Sequence, residues 1–566
     1  MRCYRVIFTC FVACSLLITP LSRASESIEA DKPMIHQIYE LVDQRNAESL
    51  VFDQALQSQD KIIQKTALLG LARIGGQIAL EKITPMLNND SSELRKLAAL
   101  GVGLSQQKNA AELLWQRLEK EKDLQVKHEL YLGLGNLAPD NLITRMLARL
   151  DKEQQPETIS AMFQGLAIAL VFNRELKDDY QKIDYAKLLG LFAKGDTSHA
   201  MIGYFLNRIP GIENFLTVND LLNISQQELS DEAKANLARL TAKITQKGNE
   251  KNREILAWLL EQSESSNIAV QQEALRAMRH LTSIPQALIQ LGKHTKSTNP
   301  IVAHTALSTL ANSELASEEM IALFKGQLKH QNDAMVVEAI RGLLKRQEKD
   351  EMSWVVQLLR HPSSYVKISL ISQLNAKSQD DFKNTIKFFT TDPNKEVAAY
   401  AKRVVDKVAT PKNVQAISPS FSEVSKTTNQ IVTLKTTVGK IKIQLLESAP
   451  YTAWHFMRNA REGTFNNAYF SRVIGNFVAQ GGDSIGDLSG ASNQTIREEI
   501  SFLNHEPMTV GMATSGKDTG TSQFFINTGR NFHLDRNYTV FGKVIEGQKA
   551  VIQMTNGAKI LSIETN

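Results

Sequence analysis

Small or apolar residues recur at a nearly fixed interval between positions 53 and 408, and this recurrence constrains the chain more than any other feature. Gly70, Gly101, Gly133 and Gly165 are spaced by 31, 32 and 32 residues; Ala277, Thr309, Gly342, Gln373 and Val404 are spaced by 32, 33, 31 and 31. Each belongs to an apolar segment of helical period, such as LRKLAALGVGL, VKHELYLGLGNL or VQQEALRAMRHL. That combination predicts one helix pair per repeat, about eleven repeats in all. A lone pair cannot bury its apolar stripe, so successive pairs must stack, and small residues let them approach. Asn89-Asp90-Ser91-Ser92, Asn299-Pro300, His361-Pro362 and Asp392-Pro393 supply capping oxygens and prolines suited to helix starts. The register blurs between Gly165 and Ala277, where Pro210-Gly211 interrupts a helical stretch.

The pattern resembles HEAT repeats, including Val126-Lys127 and Val366-Lys367 early in the second helix of a pair. The resemblance implies an all-α superhelical solenoid over residues 25–408, with a concave surface suited to an extended protein partner. His128-Glu129 lies inside this array, but one such pair falls short of a metal's ligand count. It reads as a solvent-facing or packed histidine.

At 566 residues the chain exceeds what one core can organise, so at least two domains are expected. The three cysteines, Cys3, Cys10 and Cys14, all fall in the first fourteen residues. The remainder can form neither a disulfide nor a thiolate metal site. Arg2 and Arg5 precede an apolar run over 6–18, and Ser22-Arg23-Ala24 has a small-x-small pattern. This is the layout of a secretory signal peptide over residues 1–24. It predicts export, to the periplasm if the cell is Gram-negative, with lipid attachment at Cys14 as the alternative. The run is too short for a stable membrane span of about 20 residues. Removing Arg2, Arg5 and Arg23 lowers the net charge from +5 to +2. No basic block with interleaved aromatics occurs, which argues against nucleic acid as a partner.

Residues 409–429, rich in Ser, Thr, Pro and Asn, read as a linker. Ile417, Phe421 and Val424 give it a means of docking. Residues 430–566 change character. Val432 and Leu434, then Ile441, Ile443 and Leu445, alternate about a turn and predict a β-hairpin. A helix is expected from Ala453 to about Glu462, stopped by Gly463. Strands are expected over 469–473, 477–480, 509–512, 523–527 and 539–544, with Gly481 and Gly482 turning the chain. Many strands and few helices suit a small closed barrel.

Two segments carry a specific signal: YFSRVIGNFVAQGGD over 469–483 and GMATSGKDTGTSQFFI over 511–526, followed by VFGKV over 540–544. In order and spacing they resemble the cyclophilin family of peptidyl-prolyl isomerases, over about 430–566. The resemblance implies a cyclophilin-like closed β-barrel with flanking helices, acting on X–Pro bonds of polypeptides without a cofactor or metal. It assigns Arg472 as the catalytic donor, and Phe477, Val478, Phe525 and Leu534 as the wall of the proline pocket. Gln480 and Gln523 would hold the substrate or the arginine, while Ala513 and Thr514 meet the peptide backbone. His533 stands where an aromatic, often tryptophan, contacts cyclosporin, and Tyr538 where many members carry histidine. Ser471 replaces a histidine before the arginine, and Thr514 a common asparagine. The rival reading is a chaperone or scaffold whose barrel binds proline-containing peptides without catalysis.

Overall fold

The computed structural model describes residues 32–565 apart from 174–175, 177–179, 248–250, 347–350, 378–379 and 408–413. The expected leader, with all three cysteines, lies outside the described residues.

From residue 32 to 406 the described chain is helical. Alternate helices stack side by side: Lys32–Asp43, Lys61–Ile74, Ser92–Leu104, Leu124–Leu137, Pro156–Phe172, Thr197–Leu206, Asp231–Ile244, Ile268–Ala277, Pro300–Asn312, Asp333–Lys345, Ser364–Lys377 and Lys395–Asp406. Short helices between them cover the other side. The glycine period has the anticipated cause. A Cβ on Gly165 would stand 2.3 Å from the backbone oxygen of Tyr131 in the preceding stacked helix. Of the helix starts named from the sequence, Asn299 caps as expected with Pro300 in the first turn, whereas Ser91 makes no side-chain cap and Pro362 and Pro393 precede their helices; Asp60, Asp123, Asn267, Asn332 and Asn394 are among the other caps that accept a backbone N–H.

Through the blurred register between Gly165 and Ala277 the stack is unbroken. There one pair of neighbouring helices, Thr197–Leu206 and Asp231–Ile244, is joined by amides. Asn207 Nδ2 donates to the Asn236 carbonyl (3.0 Å), and Asn236 Nδ2 to the Ala200 carbonyl (3.0 Å). A close glycine contact persists beside them, Gly203 lying against Phe192 and Asn236, and the stack continues.

Eight strands follow: β1 Ile431–Thr436, β2 Gly439–Leu445, β3 Tyr469–Ile474, β4 Val478–Asp483, β5 Thr509–Met512, β6 Phe524–Asn527, β7 Val540–Glu546 and β8 Ala558–Thr565. They close an antiparallel barrel in the order β8-β1-β2-β7-β5-β6-β4-β3. Phe456, Phe465, Phe470, Phe524 and Phe541 fill it through mutual edge and tilted contacts. The barrel helix runs Pro450–Arg461, three residues earlier than expected, because Pro450 occupies its first turn without needing a donor. β4 does not end at the glycines but continues to Asp483. Gly481 makes room for Phe470, whose ring would lie 2.7 Å from a Cβ there.

The barrel sits against the stacked helices. Twelve helices at 8–10 Å spacing would span about 100 Å in a straight row. The barrel domain has an expected radius of gyration of only about 14 Å. Yet it is touched from Arg45 near one end of the row, which pairs with Asp518, to Arg403 at the other, which pairs with Asp487 (3.2 Å). The row must therefore curve around the barrel. The inner surface expected to receive an extended partner is occupied by the chain's own C-terminal domain. The seam is mixed: apolar contacts, such as Tyr365 against Tyr469 (5.5 Å) and Tyr204 against Phe532 (5.3 Å), lie beside well-paired polar groups. Arg497 meets Asp43 (2.7 Å), and Arg73 donates to the carbonyls of Ser448 (2.8 Å) and Ile500 (3.1 Å). Gln164 donates to the carbonyl of Phe532 (3.0 Å) and to Asp535 (2.8 Å). Residues 414–429 are docked as well. Gln415–Ala416 pairs in parallel with Gln494–Thr495, and Phe421 stacks on Tyr39 of the first helix (4.2 Å).

Candidate functional site

A register shift in β3 sets up the site. Phe470 pairs with Gly481, and Arg472 with Gln480, so one residue of β3 is bulged out between them. Without the bulge Arg472 would oppose Ala479 on the interior side. With it, Arg472 shares the outer face with Gln480, and Gln480 is paired in turn with Phe525 on β6. Val478, two residues from Gln480, falls on that same face. An arginine, an amide and an aromatic ring thus form a row across three strands.

The row is braced by hydrogen bonds. Arg472 Nη1 donates to Gln480 Oε1 (3.4 Å), and Gln480 Nε2 to Gln523 Oε1 (3.0 Å). Gln523 Nε2 donates to the carbonyls of Leu488 (3.0 Å) and Gly490 (2.9 Å). That loop hangs from Asp483, whose buried carboxylate accepts the backbone N–H groups of Ile485, Leu488 and Gly490. Ser471 donates to the same carboxylate (2.7 Å). The guanidinium carbon of Arg472 lies 5.3 Å from the centre of the Phe477 ring. Among the described residues no carboxylate pairs with Arg472, so its donors remain available on the half-buried side.

Beside it, Val478, Phe525 and Leu534 form a separate apolar cluster, flanked by Phe477, Ala513 and Tyr538. Gly511 makes it possible. It lies opposite Phe525 on β5, and a Cβ there would stand 2.3 Å from the tip of that ring. Tyr538 meets Phe525 edge-on (5.9 Å), and burial pushes its hydroxyl pKa up, against the pull of the Arg472 charge. Ala513 donates its N–H to the Gln523 carbonyl (3.0 Å); Thr514, next in the chain, is half-buried. Of the residues named from the sequence, Arg472, Phe477, Val478, Gln480, Ala513, Gln523, Phe525, Leu534 and Tyr538 are thus brought together; among the described residues no hydrogen bond joins Thr514 to them.

Sequence reasoning missed three contributors. His505 stacks on Phe525 (5.7 Å), and its Nδ1 lies 3.3 Å from Asp535. Burial pushes this imidazole down. Burial would raise Asp535, but His505 and Arg530 outweigh it and hold the carboxyl well below the usual range. The other two, Tyr204 and Phe172, come from the helical array. Tyr204 shares a 2.5 Å hydrogen bond with His533 Nδ1, and His533 stacks on Phe477 (5.6 Å). Burial drives His533 well below its ordinary pKa, so the ring is neutral. No sequence signal links residues more than 300 positions apart. His128 is half-buried, and Glu129 pairs with Arg536. No group of three or more His, Cys, Asp or Glu side chains suited to a metal occurs among the described residues.

Fold and site together define a β-barrel with an arginine-flanked apolar slot, carried by a helical-repeat array. Residues 431–562 match the cyclophilin type peptidyl-prolyl cis-trans isomerase family, and residues 49–167 match HEAT repeats. A peptidyl-prolyl cis-trans isomerase-like 3 of Gallus gallus is 40% identical over 129 residues, covering 22% of this chain and 80% of that protein. A peptidyl-prolyl cis-trans isomerase A of Dickeya dadantii is 37% identical over 158 residues, covering 26% and 82%. The isomerase-like 2 protein of Neurospora crassa is 39% identical over 127 residues; the match takes up 21% of either chain, so this chain spans only about a fifth of that relative. Through its C-terminal domain the chain belongs to the cyclophilin-type peptidyl-prolyl cis-trans isomerase family.

Proposed function

We propose that the protein is a peptidyl-prolyl cis–trans isomerase acting on X–Pro bonds of polypeptides during folding. Rotation about such a bond gives up amide resonance against a barrier of about 18–20 kcal/mol, and uncatalysed it takes roughly tens to hundreds of seconds. No covalent bond breaks, so neither nucleophile nor cofactor is needed. The requirement is a socket for the ring and a donor that favours the twisted amide, whose nitrogen has become basic, over both planar forms. Val478, Phe525 and Leu534, with Phe477 at the edge, offer the socket. Arg472 offers the donor, permanently charged and braced through Gln480 and Gln523.

The observation that carries this reading is the shared outer face of Arg472 and Phe525 across β3, β4 and β6. NMR exchange on an X–Pro peptide tests it. Arg472→Ala should slow catalysed exchange by roughly 10²–10³-fold, the cost of one transition-state donor. An unchanged rate would favour a barrel that only binds. A partner of the array would meet its outer helices, because the inner face is taken. Export, with cleavage near Ala24, is part of the proposal; the N-terminal sequence of the mature protein tests it. Among the described residues no helix is long and apolar enough to cross a membrane.

A further inference from the structure

We propose that the helical array completes the substrate site, with Phe172 selecting for a large apolar residue next to the isomerised proline. This rests on the isomerase reading above.

Phe172 ends the helix Pro156–Phe172 and is an aromatic left 39% exposed. Its ring stands 6.4 Å from His533 and 6.2 Å from Tyr538. Tyr538 meets Phe525 on the wall of the slot, and His533 stacks on Phe477 at its edge. The apolar surface therefore runs without a break from the slot out onto a residue of the array. The geometry is anchored. Tyr204 fixes His533 by the 2.5 Å hydrogen bond and is itself covered by the Arg208 guanidinium, 3.5 Å from its ring centre. Gln164, on the same helix as Phe172, holds Phe532 and Asp535 on either side of His533-Leu534. A polypeptide with its proline in the slot continues past the rim. On the side formed by His533 and Tyr538 it meets Phe172. A leucine or phenylalanine there would cover the exposed ring, whereas glycine or glutamate would not. An isolated barrel lacks this wall.

The test uses the full chain and short peptides in which the residue before or after proline is Gly, Glu, Leu or Phe. Catalysed exchange is measured by NMR, and peptide affinity by calorimetry. Wild type should prefer Leu or Phe at one of the two positions by about ten-fold in kcat/KM, the usual scale for one apolar contact. Phe172→Ala should abolish that preference, costing Leu or Phe peptides about ten-fold and Gly peptides less, while Phe172→Leu should retain part of it. Equal rates of wild type on all peptides, or an equal loss by Phe172→Ala on all of them, would overturn the proposal and leave the isomerase reading standing. Absence of catalysed exchange with every peptide would overturn both.

Discussion

Arg536 of the barrel grips Glu129 of the helical array with two hydrogen bonds, Nη2 to Oε1 at 2.7 Å and Nε to Oε2 at 3.1 Å, and both side chains are almost fully shielded from water. Burial would raise the Glu129 carboxyl, but the arginine outweighs it and holds the pKa down, so the pair is ionised. Removing one member strands a charge at the seam. Glu129→Ala should destabilise the docked state by about 3–5 kcal/mol. It should speed hydrogen exchange in the helix Leu124–Leu137 and in residues 532–538. Wild-type exchange in both segments would show that the pair does not hold the seam.

Gln480 touches both Arg472 and Gln523, so it is a positioning residue. Gln480→Ala removes a hydrogen bond to a charged group, a contribution of about 1.5–3 kcal/mol. Catalysed exchange should fall by roughly ten-fold or more, mostly in kcat, with peptide affinity changed little. A loss confined to affinity would mean that Gln480 binds peptide rather than holding the arginine.

Gly511→Ala tests the slot from beneath. The added methyl occupies the place of the Phe525 ring and must push it outward. Overpacking of this kind costs about 1–3 kcal/mol. A lower urea midpoint together with weaker binding of proline peptides is expected. Unaltered binding would place the ring pocket elsewhere.

Acid should weaken the barrel through its buried histidines. Burial holds the His455 imidazole at about 4, below its usual 6.5, and its Nε2 lies 3.1 Å from the Asn459 amide. The unfolded imidazole takes up a proton below about 6.5, whereas the folded one resists until about 4. Its contribution to stability is therefore full above 6.5 and declines as pH falls towards 4. His505 and His533 shift in the same direction. The midpoint of thermal unfolding should drop across this window, and less so in His455→Gln. A flat profile in wild type would contradict the argument.

Local chemistry was the legible part of this chain. The period through Gly70, Gly101, Gly133 and Gly165 reflects close packing between helices, against side chains at Gly70 and Gly101 and against a neighbouring backbone at Gly165, a short-range requirement that repeats. The slot was legible because Arg472, Gln480 and Phe525 lie in segments with a family's spacing. Two things could not be read. One is strand continuity through Gly481, because the ring of Phe470 claims that space from another strand. The other is the seam. Glu129 and Arg536 are 407 positions apart, and neither residue shows a pattern that a solvated surface charge would lack.

The charged character of that seam bears on how the chain is made. The helical half leaves the ribosome before the roughly 130 residues that will fill its hollow, a wait on the order of ten seconds at 5–20 residues per second. Arg45, Arg73, Glu129 and Gln164 are hydrated during that interval, so the unfilled face carries water-compatible side chains beside its apolar ones, such as Tyr365. Nascent chains can then remain apart from one another until the last strand closes the barrel.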